Sequence, residues 1–209
     1  MKEIKEQICE IGRRLYAKDM IAGGDGNISV RDENGIIWIT PAGKRKGELV
    51  PEDILGITIE GEVRYGLGTP STETKMHLAA YRICPHIHAV VHAHPQAATA
   101  YTVAGAAFEN EVLIESLPIL GEVVTAPYGR PSTDEVVTSL APYLAEHPVI
   151  LMANHGAVTT GKTLWEAYNR IETLEHVART CLYGKLLSAA YQYGNKEGLS
   201  LQLIERKKQ

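Results

Sequence analysis

Apolar residues recur at Ile4, Ile8, Ile11 and Leu15 with lysine, glutamate and arginine between them. That spacing puts them on one face of an amphipathic opening helix, which Gly23-Gly24-Asp25-Gly26 ends. Short β-like runs follow at Ile28 to Arg31, Ile36 to Thr40, Ile54 to Ile59 and Glu62 to Tyr65, with turn signals at Asn34-Gly35, Ala42-Gly43 and Glu60-Gly61. From Ser71, as N-cap, the period turns helical, with Met76, Ala79, Ala80 and Ile83 on one side and Pro85 as the stop. Ala89 to His94 reads as a strand, and Pro95 suits the first turn of a helix reaching about Ala104. A strand near Glu122 to Ala126 precedes Ser132-Thr-Asp-Glu135, a capping box opening another helix. Val149 to Met152 is a short buried strand, and Thr163-Leu-Trp-Glu166 is a second box. Leu164, Tyr168, Ile171, Leu174, Ala178 and Cys181 carry a long helix behind it. Helices and strands interleave without repeat or linker, which predicts one α/β domain over residues 1–209 with a mixed central sheet.

Composition narrows the classes. At 209 residues, 44% hydrophobic and 22% charged, the chain is long enough for a substantial core and unlike disordered, collagenous or coiled-coil sequences. A net charge of −4 without a basic face argues against nucleic acid as a partner. The most membrane-like stretch, Ala97 to Phe108, is too short and too rich in small residues to span a bilayer, and the charged N-terminus lacks an apolar export segment. Cys9, Cys84 and Cys181 are odd in number and far apart, which fits reduced thiols and a cytoplasmic location.

The histidines carry the chemistry. In Val90-Val91-His92-Ala93-His94 a strand points both imidazoles to one face, roughly 6.6 Å apart along the chain. They can share one metal, although paired histidines also occur as plain surface residues. His88, roughly 13 Å from His92 by the same rise, is out of reach. His155, beside Gly156 after an apolar strand, would complete a three-histidine set with an open position, the arrangement of catalytic zinc. Taken alone it is equally a polar turn residue.

Glu73, His77 and Tyr81 repeat every four residues beside the apolar stripe. Glu73 is either a helix-dipole acid or, near a metal and partly desolvated, a proton-transfer group. Gly23-Gly24-Asp25-Gly26-Asn27 can form a backbone anion nest or a plain turn. Thr40-Pro41-Ala42-Gly43-Lys44-Arg45 is a second glycine turn whose basic residues equally suit a solvated loop. Gly156-Ala-Val-Thr-Thr-Gly161-Lys162-Thr163 matches the P-loop string. A P-loop enzyme also needs an aspartate after an apolar strand to hold magnesium, and none of Asp19, Asp25, Asp32, Asp53 or Asp134 has that setting.

In order, Gly26-Asn27-Ile-Ser29, Ile39-Thr-Pro41-Ala-Gly43, Pro70-Ser71-Thr72-Glu73, His77, His92-Ala-His94 and His155-Gly156 resemble the class II aldolase/adducin family from about residue 5 to 185. The resemblance is greatest to its fuculose-phosphate aldolase branch. It implies a three-layer α/β/α fold with a mixed, largely antiparallel sheet, Zn²⁺ on His92, His94 and His155, and a homotetramer with interfacial active sites. It also implies Glu73 as catalytic acid/base and a substrate-phosphate site from Gly26, Asn27, Ala42, Gly43, Ser71 and Thr72. The implied reaction is retro-aldol cleavage of a ketose 1-phosphate to dihydroxyacetone phosphate and an aldehyde through a metal-stabilised enediolate.

Two departures open the substrate. Ala42 replaces the branch's serine, and Glu115, a second candidate catalytic residue, stands near its interfacial tyrosine, as an acid does in the methylthioribulose-1-phosphate dehydratase branch. Tyr183, Tyr191 and Tyr193 are candidates for a C-terminal tyrosine at a site. Glu73 differs from the aspartate of the pentulose-phosphate 4-epimerase branch. Dehydration or epimerisation of a related sugar phosphate is therefore the alternative within the family. A non-catalytic adducin-like interaction domain is the alternative outside enzymes, disfavoured by the complete histidine set with Glu73.

Overall fold

A computed structural model describes residues 2–109 and 112–196. An eight-stranded sheet forms its centre, in the order β4-β3-β2-β1-β5-β8-β7-β6. The strands are β1 (Asn27–Arg31), β2 (Ile37–Ile39), β3 (Leu55–Ile57), β4 (Val63–Tyr65), β5 (Ala89–Ala93), β6 (Val124–Ala126), β7 (Val149–Met152) and β8 (Gly156–Gly161). Every neighbouring pair is antiparallel except β6 with β7, so the sheet is mixed and largely antiparallel.

Helices cover both faces. Helices α1 (Lys2–Ala17), α3 (Gln96–Val103) and α6 (Leu164–Lys196) pack one apolar cluster against Ile28, Val30, Val91 and Leu151. Helices α2 (Thr74–Ile83) and α5 (Asp134–Leu144) pack the other against Ile37, Ile39, Val90 and Val158. A short α4 (Ser116–Leu120) lies beside α6. The central strands β5 and β8 are buried throughout, which is why they read as nearly continuous apolar or small-residue runs. β4 is an exposed edge carrying Arg64, a residue type that discourages pairing with another chain. No described helix is long and apolar enough to cross a membrane.

Several local expectations change. Residues 156–161, most of the P-loop-like string that runs to Thr163, form strand β8, hydrogen-bonded to β5 on one side and β7 on the other. No phosphate loop exists there. Helix α2 begins three residues after Ser71 with Glu73 at its N-cap, and Ser71 Oγ accepts from the Glu73 amide at 3.3 Å. Ile83, expected on the apolar stripe, is 37% exposed because Pro85 ends the helix before that turn is covered. The α5 cap is Thr133 rather than Ser132, and Glu135 accepts from the Arg130 amide instead of closing a box. Thr163 caps α6 through the Glu166 amide, while the Glu166 carboxylate accepts from the Lys162 amide. Each acid still neutralises a free amide at its helix start, but one residue or more upstream of the expected donor.

Candidate active site

Strand and helix periods build the site jointly. On β1, Ile28 and Val30 face the α1/α6 core, so Asn27 and Ser29 face α2. On β5, Val90 packs on the α2 side, and His92, two residues on, shares that face directly opposite Asn27. Helix α2 lowers Glu73, His77 and Tyr81, one turn apart, onto these strand residues. Asn27 Nδ2 donates to Glu73 Oε2 at 2.9 Å. His77 lies 2.5 Å from Asn27 Oδ1 and 2.6 Å from Ser29 Oγ, which lies 2.8 Å from the Tyr81 hydroxyl. The four-residue repeat therefore marks one buried polar line ending on the Glu73 carboxylate.

His92, His94 and His155 converge beyond that carboxylate. Each offers a ring nitrogen, and the three lie within 4.8 Å of one another. His94 sits just past β5, held by the hydrogen bond its backbone N–H donates to the Met20 carbonyl. His155 stands in the β7–β8 turn, where Asn154 takes a positive φ of 56°, a conformation asparagine tolerates better than most residues. Gly156 is required by close approach: a Cβ there would lie 2.5 Å from the Ala93 carbonyl oxygen and 2.7 Å from His94 Cδ2.

The donor set fits a cation. His92 Nδ1 donates to the Ala157 carbonyl at 2.9 Å, which leaves Nε2 as the ring nitrogen facing the cluster. His94 turns Nδ1 toward Asp25, 3.5 Å away, and its Nε2 toward His92 Nε2 at 3.2 Å. Two nitrogens bound tetrahedrally to one zinc would be about 3.3 Å apart. Glu73 Oε2 is 3.1 Å from the same His92 nitrogen, and Glu73 Oε1 is 3.5 Å from His155 Nε2. Acceptors facing acceptors are stable only with a positive charge between them. Burial pushes His94 and His155 down to about 4, so both rings are neutral at neutral pH, as metal ligation needs. Burial also works to raise the Glu73 carboxyl, but His92, the Asn27 amide and His155 outweigh it and hold the group below the usual carboxylate range.

A cavity of about 320 Å³ opens onto this cluster. Gly26, Asn27, Ala42, Gly43, Ser71 and Thr72, the expected phosphate residues, all line it together with Glu73, His94 and His155. The loops are stitched by Ser71 N to the Thr40 carbonyl and Ala42 N to the Thr69 carbonyl. Gly23, Gly26 and Gly43 have positive φ, as a nest needs. Both ends of the Asn27 amide are engaged by Glu73 and His77. Glu115 is not brought here; it lines a larger cleft of about 650 Å³ between α1, α4 and α6. Tyr183 and Tyr191 are exposed on α6 and line neither wall of the cavity, and the Tyr193 side chain lies outside the described residues. Sequence reasoning missed Lys46, Pro131 and Ser132 as lining residues. The only signal for Lys46 is its place in the Lys44-Arg45-Lys46 run, which reads as solvated.

Known proteins share this architecture. The chain is 33% identical over 182 residues to the 3-oxo-tetronate 4-phosphate decarboxylase of Escherichia coli O6:H1, covering 85% of each protein. It is 35% identical over 184 residues to the L-fuculose phosphate aldolase of Methanococcus vannielii, covering 85% of this chain and 94% of that one. The crystal structure of L-fuculose-1-phosphate aldolase from Thermus thermophilus superposes with a TM-score of 0.81 at 32% identity, over 90% of this chain and 96% of that one. The sequence model of the family described as Class II Aldolase and Adducin N-terminal domain matches residues 6–182. On these matches, the chain belongs to the class II aldolase and adducin family.

Proposed function

We propose that the protein is a zinc-dependent aldolase that cleaves a ketose 1-phosphate to dihydroxyacetone phosphate and an aldehyde. The observation that carries this reading is the convergence of three imidazoles beside a buried carboxylate, with His94, His155 and Glu73 lining a glycine-rich cavity. His92, His94 and His155 would hold a divalent ion, which would supply Lewis-acid stabilisation of negative charge developing on the substrate. The chain's own residues do the rest. Ser71, Thr72 and the backbone of the two glycine turns hold the phosphate and so fix the reacting carbons. Glu73 Oε1 is buried without a hydrogen-bond partner among the described residues, which leaves it to exchange a proton with substrate carbon or hydroxyl.

The decarboxylase relatives support a second reading on the same chemistry. Loss of CO₂ from a 3-oxo-tetronate 4-phosphate leaves a carbanion beside a phosphorylated ketone, and protonation gives dihydroxyacetone phosphate. C3–C4 cleavage of a ketose 1-phosphate leaves the same fragment. Retro-aldol cleavage additionally removes a proton from the C4 hydroxyl, whereas CO₂ departs without one. Glu73 has a proton-donating role in both; the leaving group and the fate of that hydroxyl proton differ.

A homotetramer with interfacial sites belongs to the same reading. Glu115, outside the chain's own cavity, then acts from a neighbouring copy. Three buried, unpaired cysteines support a reducing, cytoplasmic setting. The test is a parallel assay of several ketose 1-phosphates and 3-oxo-tetronate 4-phosphate, measuring dihydroxyacetone phosphate with aldehyde or CO₂. Aldehyde release from a ketose 1-phosphate is expected; CO₂ release alone selects the second reading, and neither product from any substrate refutes both.

A further inference from the structure

Lys44, Arg45 and Lys46 are consecutive, yet the fold treats them differently. Lys44 and Arg45 are exposed, and Lys46 is 2% exposed. Lys46 opens a short 3₁₀ turn (Lys46–Glu48) clamped against α1. The clamp depends on Gly12, because a Cβ there would lie 2.3 Å from the Lys46 carbonyl oxygen. The Lys46 ammonium donates to the carbonyls of Gly24 at 2.5 Å and Lys44 at 2.9 Å, one in each glycine turn. It thereby staples together the two loops that line the cavity, and its own side chain lines that cavity too.

An ammonium carries three donors, and two are accounted for. No carboxylate among the described residues forms an ion pair with Lys46. A buried charge without a counter-ion is costly unless a ligand supplies one. Burial pushes its pKa down, while Asp25 and Glu73, both on the cavity rim, push it back up without pairing with it. A phosphate in the cavity would provide the missing negative charge. The other expected phosphate residues are neutral, and Ala42 offers no hydroxyl.

We infer that Lys46 is the cation that binds the substrate's phosphate, acting from beneath the two glycine turns that it also holds together. This rests on the phosphate reading above and adds the charge which that reading lacks. The lysine is a specificity residue: it favours a phosphorylated substrate over a free sugar.

The experiment titrates inorganic phosphate into the metal-loaded wild type, Lys46→Met and Lys46→Gln by calorimetry, with metal content and circular dichroism as controls. Both variants should bind phosphate about tenfold to a hundredfold more weakly, the range of a charge-assisted hydrogen bond, with metal content unchanged. The rise should appear in KM for a phosphorylated substrate more than in kcat. Because either variant can loosen the loops, the unaltered protein is also followed by carbon-13 labelling of lysine, where the Lys46 Cε resonance should shift on phosphate saturation. Equal phosphate affinity in folded variants, or an unmoved Lys46 resonance while phosphate binds, overturns the role of Lys46 and leaves the phosphate site standing. If the wild type itself takes up no phosphate, both readings fall.

Discussion

His77 Nε2 lies 2.5 Å from Asn27 Oδ1, and that one contact fixes the direction of every proton along the buried line. Asn27 gives its Nδ2 hydrogen to Glu73, so its Oδ1 can only accept, and His77 Nε2 must donate. Burial pushes His77 down to about 3, so the ring is neutral and Nδ1 accepts from Ser29. Ser29, having spent its proton, accepts from Tyr81. All four hydrogens point toward Glu73, which stabilises its ionised form and holds the carboxylate with Oε1 facing His155. The line positions Glu73; it is not a route for carrying Glu73's proton away.

Glu73→Gln should therefore fold and retain metal while losing about 10²–10⁴-fold in kcat, the usual worth of a general acid/base. Exchange of the dihydroxyacetone phosphate C3 hydrogen with solvent isolates this step, since it needs the base but no aldehyde. Exchange at the wild-type rate in the metal-loaded variant would exclude Glu73 as the base.

The neutral His77 also makes a pH prediction. Its pKa falls from 6.5 to about 3 on folding, so the unfolded chain binds the proton more readily. Stability is full above pH 6.5 and is lost as pH falls toward 3, with a limiting slope of about 1.4 kcal/mol per pH unit. Urea unfolding of metal-free protein at pH 7 and pH 5 should show His77→Asn losing about 2 kcal/mol less than wild type. Identical losses would place the titrating group elsewhere.

The three-histidine assignment predicts about one divalent ion per chain, zinc by ligand type. His92→Ala should abolish binding and nearly all activity, as elemental analysis and assay would report. Stoichiometric metal in the His92/His94/His155 triple alanine variant would refute the site.

Gly156→Ala tests the backbone that frames the cluster. The added methyl meets the Ala93 carbonyl and the His94 ring, so something must shift. Metal affinity should fall because His94 is displaced, together with a loss in stability of about 1–3 kcal/mol, the usual cost of overpacking. Wild-type metal affinity in a chelator competition would show that His94 tolerates the displacement.

Free ketoses should react far more slowly than their 1-phosphates, because remote binding energy positions the reacting carbons. Equal kcat/KM for the two would remove the anion role of Ser71, Thr72 and the glycine turns. Ala42→Ser, which restores a hydroxyl at the cavity wall, should change KM modestly.

Local periods were sufficient to find much of this site. A two-residue period places His92 and Val90 on one face of β5, and a four-residue period aligns Glu73, His77 and Tyr81 along α2, whatever surrounds them. The order of motifs was enough to indicate the family, and the alternation of elements the α/β class. Tertiary structure decided what those faces meet. Residues 156–161 carry glycines and threonines that suit a loop, but a seat between β5 and β7 with helices on both faces satisfies their backbone and makes them a strand. The tertiary seat also sends Glu115 to a different cleft from the histidines. Of three adjacent basic residues it buries only Lys46, whose backbone packs into the space that Gly12 leaves open on α1. A sequence states which side chains share an element's face; whether a charge on that face meets water, a carbonyl or a ligand depends on which distant segment packs against it.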